Sequence, residues 1–298
     1  MGNMPNNREL RDATREISYA SSAKSRGGRA LIRALENATG RIRLIKRASG
    51  YEHEVAAGRD FWHVMVERYG LSIDVVGGDL ADIPKEGPLV LVANHPYGIL
   101  DGLMMGYILS TVRGDFRILA NSVFRKAEEL NRIVLPVSFD EDRAAVALNI
   151  ETRKKSLKYL SEGGAIGVFP GGTVSTSQKL FGQPLDPGWR AFTARMIAKS
   201  NATVVPIFFD GANSRLFQLA SHMHQTLRLA LLIKEFKSRV DEPVRVAIGK
   251  PIPPAEIEAR RADTRAMMDF LRQETYALSP RPLKSDAYGF EFEEKYKG

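Results

Sequence analysis

The stretch LVLVANHPYGILDG runs from Leu89 to Gly102 and decides how the rest of the chain reads. Its first five residues are apolar without alternation, the pattern of a strand covered on both faces. Asn94-His95 follows at the strand's mouth, and Pro96 biases His95 away from the helical region. Gly98 gives the backbone freedom to turn, and Asp101 stands at the head of a second apolar stretch, where an Asp is a favoured N-cap. On one continuous helix, residues six apart lie about 240° around and 9 Å along, so their side chains would not meet. A short loop could instead fold Asp101 back to His95 and fix the tautomer of a general base for a hydroxyl proton. The plainer alternative is that Asp101 caps its helix while His95 satisfies backbone groups at the strand end.

Outward from this stretch the chain alternates strand and helix. Apolar runs predict strands at 71–76, 89–93, 116–120, 133–137, 165–169, 204–209 and 244–248. Helical patterns lie between them at 101–113, 143–161, 186–200, 214–237 and 254–277. This predicts an α/β fold with a mostly parallel sheet flanked by helices. Ligands in such sheets sit outside the carboxyl ends of strands, where His95 falls. The expected division is a polar arm with basic amphipathic helices over 1–69, an α/β domain over 70–279 and a polar tail over 280–298. Within the first part, Arg26 to Arg47 holds seven basic residues against one acidic, with apolar positions at helical spacing and a break at Gly40. Such a stretch reads either as interfacial or as a helix packed by its apolar stripe with a solvated basic face.

The 298 residues include no cysteine and carry a formal charge of +8. Disulfides, thiolate metal sites and Cys nucleophiles are therefore excluded. The charge suits anionic membrane or an acidic partner, and no nucleic-acid motif appears. No apolar run is long enough to span a bilayer, and no secretory or myristoylation pattern opens the chain. The expectation is a cytoplasmic protein associated peripherally with the inner face of the membrane. His222-Met-His224 has no third ligand at suitable spacing, so no metal is expected.

Four segments together carry a resemblance. NHPYGILDG at 94–102, ILANSVF at 118–124, GVFPGGTVS at 167–175 and VVPIFFDGANS at 204–214 resemble, in order, motifs of the glycerophospholipid (lysophospholipid) acyltransferase superfamily. The pattern is similar to a bacterial hemolysin-like subgroup that includes ornithine-lipid O-acyltransferases. The resemblance implies His95 and Asp101 as catalytic pair and Asn94, Asn121, Arg143, Phe169, Pro170, Gly171, Gly172 and Thr173 as substrate-binding residues. It also implies an acyl-CoA or acyl carrier protein co-substrate, no other cofactor, and a lysophospholipid or lyso-aminolipid acceptor. Three features depart from the family. Five residues rather than four separate His95 from Asp101, and the Glu and Arg of the third motif are Gly171 and Val174. Read physically, Pro170-Gly171-Gly172-Thr173 is a turn whose backbone N–H groups can approach a phosphate or a developing oxyanion. It could equally be an ordinary strand-to-loop turn; Arg143 could form a surface ion pair, and Asn121 a turn. Pro206 suggests a bulge or strand end, and Trp62 and Trp189 are either interface anchors or packed side chains. A lipid hydrolase and a non-enzymatic basic membrane-binding module remain as alternative functions.

Overall fold

The computed structural model describes residues 18–20, 23, 25–121, 128–138, 142–284 and 286–292. Most of the expected polar arm, residues 122–124 of the second matching segment and the last residues of the tail lie outside that set. Four helices come first: α1 (Arg26–Thr39), α2 (Arg41–Ala48), α3 (Tyr51–Ala56) and α4 (Phe61–Arg68). Then follow β1 (Ser72–Gly77), β2 (Leu89–Ala93), α5 (Ile99–Arg113), β3 (Arg117–Asn121), α6 (Glu128–Ile133), β4 (Val134–Val137), α7 (Arg143–Ser161) and β5 (Ala165–Val168). A short pair, β6 (Thr176–Ser177) and β7 (Pro184–Leu185), precedes α8 (Ala191–Ile197) and β8 (Thr203–Phe209). The order closes with α9 (Arg215–Met223), α10 (Gln225–Lys237), β9 (Pro243–Ile248), α11 (Pro254–Glu258) and α12 (Thr264–Ala277).

Seven strands form one sheet in the order β1-β9-β8-β2-β5-β3-β4. β2 pairs in parallel with β5 and β8, and β3 with β4 and β5, while β8 and β9 run antiparallel. Each strand predicted from the apolar runs is present to within one residue at either end. β2 shows why its pattern lacks alternation. Val90 and Val92 join a cluster with Ile166, Val168 and Val204 of the neighbouring strands and Met268 and Leu271 of α12. Leu89, Leu91 and Ala93, which point to the opposite face, are just as fully buried. Each such side chain contributes roughly 1.5–3 kcal/mol, so both faces favour the central position.

Three helix assignments and one strand assignment need correction. The helix expected over 186–200 begins at Ala191, because Asp186-Pro187-Gly188 runs irregularly before it. The 214–237 helix breaks at His224, whose extended backbone (φ −165°, ψ 134°) ends α9 and whose imidazole caps α10 by accepting from the Thr226 N–H at 3.0 Å. The 254–277 helix breaks likewise, with Asp263 capping α12. Pro206 marks neither a bulge nor an end: β8 runs through it, opposite Val92. Its carbonyl accepts from Gly249 N–H, so its missing donor faces the same side, where the β9 ladder stops at Ile207.

The chain divides into two compact units, one of residues 1–72, 97–107 and 213–244, the other of 73–96, 108–212 and 245–298. In the first, α1 packs against α10 and breaks at Gly40 as expected. Ile32, Leu44 and Ile45 are buried, while Leu31 and Ile42 remain exposed. The carboxylate of Glu36 is buried too, accepting from Ser18 Oγ at 2.6 Å and Tyr19 N–H at 2.7 Å. Trp62, also here, is buried and packs edge-on against Phe61. Among the described residues no helix is long and apolar enough to cross a membrane.

Candidate active site

β2 delivers Asn94 and His95 at its carboxyl end. Asn94 is buried and clamps β2 to β8: its Nδ2 donates to the Phe209 carbonyl at 3.0 Å and its Oδ1 accepts from the Phe209 N–H at 2.7 Å. His95 is partly exposed, and its ring stacks on Phe169 with centroids 4.4 Å apart and planes 27° apart. Its backbone is held on both sides. The N–H donates to Asp186 Oδ1 at 3.2 Å, and the carbonyl accepts from Ser175 N–H at 2.8 Å. The first and third matching segments thus meet beside one imidazole.

The turn after Phe169 is tight. Gly172 N–H donates to the Phe169 carbonyl at 3.0 Å, and Gly172 has φ +69°, a conformation that favours glycine. The Pro170 carbonyl accepts from Arg190 N–H at 2.9 Å, anchoring the turn's near side. Gly171 faces Asp186 so closely that a Cβ there would lie 3.2 Å from Oδ2 and 3.3 Å from Cγ. Any side chain at this position would begin in tight contact with the buried Asp186 carboxyl. A close-packed glycine thus stands where the third motif has its acid, and the neighbouring Val174 is buried rather than charged. Thr173 is half-buried in the same turn.

Asp186 is the residue that sequence reasoning missed. It is fully buried and accepts from three donors: His95 N–H and Ser175 Oγ on Oδ1, and Trp189 Nε1 at 2.9 Å on Oδ2. Its own N–H donates to Tyr276 Oη at 2.8 Å, and its carbonyl accepts from Arg272 Nη2 at 3.1 Å and Gly289 N–H at 2.8 Å. Burial, and secondarily Asp186, push the Tyr276 phenol well above its ordinary range. Trp189 is therefore a packed, hydrogen-bonded side chain. The signal in the sequence was an acid before Pro187 in the loop PLDPGWR, indistinguishable there from an ordinary turn residue.

Asp101 is buried in the first unit. It is not the N-cap: α5 begins at Ile99, which makes Asp101 its third residue. From there its Oδ2 accepts from Tyr97 N–H at 2.8 Å and Gly98 N–H at 2.9 Å, the reach-back half of a capping box. Gly98, with φ +83°, makes the turn that permits this. Asn121 is the last residue of β3, opposite Val137 in β4, and its side chain lies outside the described set. Arg143 is exposed at the first position of α7, after an Asp142 cap.

Comparison with known proteins adds to this geometry. Residues 32–283 match the protein family described as Acyltransferase. A lyso-glycine lipid O-acyltransferase of Phocaeicola vulgatus is 26% identical over 208 residues, which cover 66% of this chain and 70% of that protein. The enzyme of the same name from Bacteroides thetaiotaomicron is 27% identical over 209 residues, covering 66% and 71%. Among solved structures, the 1-acyl-sn-glycerophosphate acyltransferase PlsC of Thermotoga maritima aligns over 86% of this chain and 98% of its own, at 17% identity and a TM-score of 0.46. A family match spanning nearly the whole described chain, with the His95 and Pro-Gly-Gly segments joined in one place, leads to one assignment: the chain belongs to this acyltransferase family, within the glycerophospholipid acyltransferase superfamily.

Proposed function

We propose that the protein moves a fatty acyl group from an acyl thioester to the hydroxyl of a lyso-lipid, with His95 as general base and Asp101 as its positioning partner. The observation that carries this reading is the half-exposed His95 ring stacked on Phe169 at the start of the Pro170–Thr173 turn. An acceptor hydroxyl there loses its proton to the imidazole as its oxygen bonds to the thioester carbonyl carbon. The developing oxyanion is stabilised by backbone N–H groups of the turn. The C–S bond then breaks, and the departing thiolate takes the proton back. No covalent acyl-enzyme is required.

Asp101 comes to this role from the resemblance of NHPYGILDG to the first motif of the superfamily. Its carboxylate is anchored on the amides of Tyr97 and Gly98, in the turn that follows His95. The relatives' name points the acceptor towards a lyso-glycine lipid, and the sequence resemblance adds the lyso-ornithine lipid as a second lyso-aminolipid. A third motif with Gly171 in place of its acid fits an acceptor other than the usual phosphate ester. Either acyl-CoA or acyl carrier protein can serve as donor, and the basic surface suits the acidic carrier.

The test is acyl transfer to a panel of lyso-lipids with both donors, read by mass spectrometry. His95→Ala should lower transfer by about 10²–10⁴-fold in a protein that folds normally. Asp101→Asn, which keeps an oxygen for the Tyr97 and Gly98 amides, should lower activity far more than stability. Near-normal turnover in folded His95→Ala would overturn the mechanism. Fatty acid release without acceptor would favour a hydrolase.

A further inference from the structure

We propose that the turn joining β6 to β7 is a membrane-inserting tip that places the active site against a lipid surface; this rests on the lyso-lipid reading above and adds where the lipid is met. The turn is Lys179-Leu180-Phe181-Gly182, closed by Gly182 N–H donating to the Lys179 carbonyl at 2.8 Å. Its two central positions, where turns ordinarily carry Gly, Pro, Asn, Asp or Ser, hold Leu180 and Phe181. Phe181 is 84% exposed and Leu180 45%. Phe181 is almost wholly in water and Leu180 nearly half so, an unfavourable surrounding for both apolar side chains.

The base of the hairpin is as fixed as its tip is bare. Thr176 pairs with Leu185 and Ser177 with Pro184, and the Thr176 carbonyl accepts from Phe290 N–H at 2.9 Å. One residue earlier, Ser175 N–H donates to the His95 carbonyl at 2.8 Å. Five residues separate Ser175 from Phe181, a span of at most about 22 Å. The tip is thus tethered rigidly to the strand end that carries the candidate base.

Size and charge select a bilayer over a protein partner. A Phe side chain buries roughly 150–250 Å², and two apolar residues fall far short of the ~800 Å² per side of a stable protein interface. Lipid packs around a small tip from all directions and needs no complementary pocket. Lys179 at the rim and the overall charge of +8 match an anionic headgroup layer.

Because the chain has no cysteine, Phe181→Cys gives a single thiol for an environment-sensitive fluorophore. Lys158→Cys, near the end of α7 and 78% exposed, gives the control. With vesicles of equal parts phosphatidylcholine and phosphatidylglycerol, the probe at 181 should shift to the blue and be quenched by doxyl-labelled lipid, and the probe at 158 should not. Leu180→Ser with Phe181→Ser should lower vesicle partitioning about tenfold or more while sparing transfer to a monomeric short-chain acceptor. Sedimentation with vesicles without quenching at 181, or equal quenching at both positions, would overturn the tip assignment and leave the lyso-lipid reading standing. Failure to bind vesicles at all would overturn the tip; loss of transfer by His95→Ala decides the chemistry separately.

Discussion

Replacing Asp186 by Asn would turn one of two acceptor oxygens into a donor facing either Trp189 Nε1 or the His95 N–H and Ser175 Oγ pair. All these groups are buried or half-buried, so the mismatch leaves at least one without a partner, and the cost should be about 2–4 kcal/mol in urea denaturation. Trp189→Phe removes the opposing donor. In the Asp186→Asn background it should cost at least about 1 kcal/mol less than in the wild type, and strictly additive losses would sink this account of the carboxylate. Asp186 and Asp101 show what a single residue does not disclose in sequence. Both are acids beside glycine or proline in apolar surroundings, a context that reads as turn or cap. For Asp101 that reading captured the capping chemistry and misplaced it by three positions; for Asp186 it concealed a hub. What distinguishes a hub is the convergence of donors from residues 95, 175 and 189, and no local pattern encodes that.

At the scale of elements, strands were more legible than helices. A central strand must be apolar on both faces, and runs such as LVLVA and AIGVF have few other uses. Helical periodicity is blind to a break that leaves both halves on the same face, which is why His224 and Asp263 interrupt helices that read as continuous. The basic helix α1 carries a further element-scale consequence. Glu36 is the one acid in the Arg26–Arg47 stretch, and burial raises its pKa despite donors from Ser18 and Tyr19 and a nearby Arg41. In the window between about pH 4.5 and that raised value, the folded chain keeps a proton that the unfolded chain has lost. Stability contributed by this residue therefore falls as pH rises through the window, by up to about 1.4 kcal/mol per pH unit. Glu36→Gln keeps the shape and removes the titration. The stability difference, wild type minus variant, should decline as pH rises above about 4.5 and level off beyond the raised value, and a flat difference would refute the assignment.

For the molecule as a whole, two unlike forces would act at a lipid surface. Electrostatic attraction draws on the charge of +8 and the Arg26–Arg47 stretch, at roughly 1 kcal/mol per cation near an anionic leaflet. It decays over a Debye length, about 10 Å at ~0.1 M salt and 3 Å at ~1 M. Insertion of Leu180 and Phe181 is apolar and is not screened. Flotation with phosphatidylglycerol-containing vesicles should therefore fall as salt rises but level off above zero. Leu180→Ser with Phe181→Ser should remove the plateau while leaving the salt-sensitive part, and vesicles of phosphatidylcholine alone should show the plateau without the slope. If wild type and variant decline to the same level, the tip contributes nothing to holding the protein at the membrane. If binding to anionic vesicles ignores salt altogether, the basic helices are solvated cover for the fold, and their charge serves no lipid.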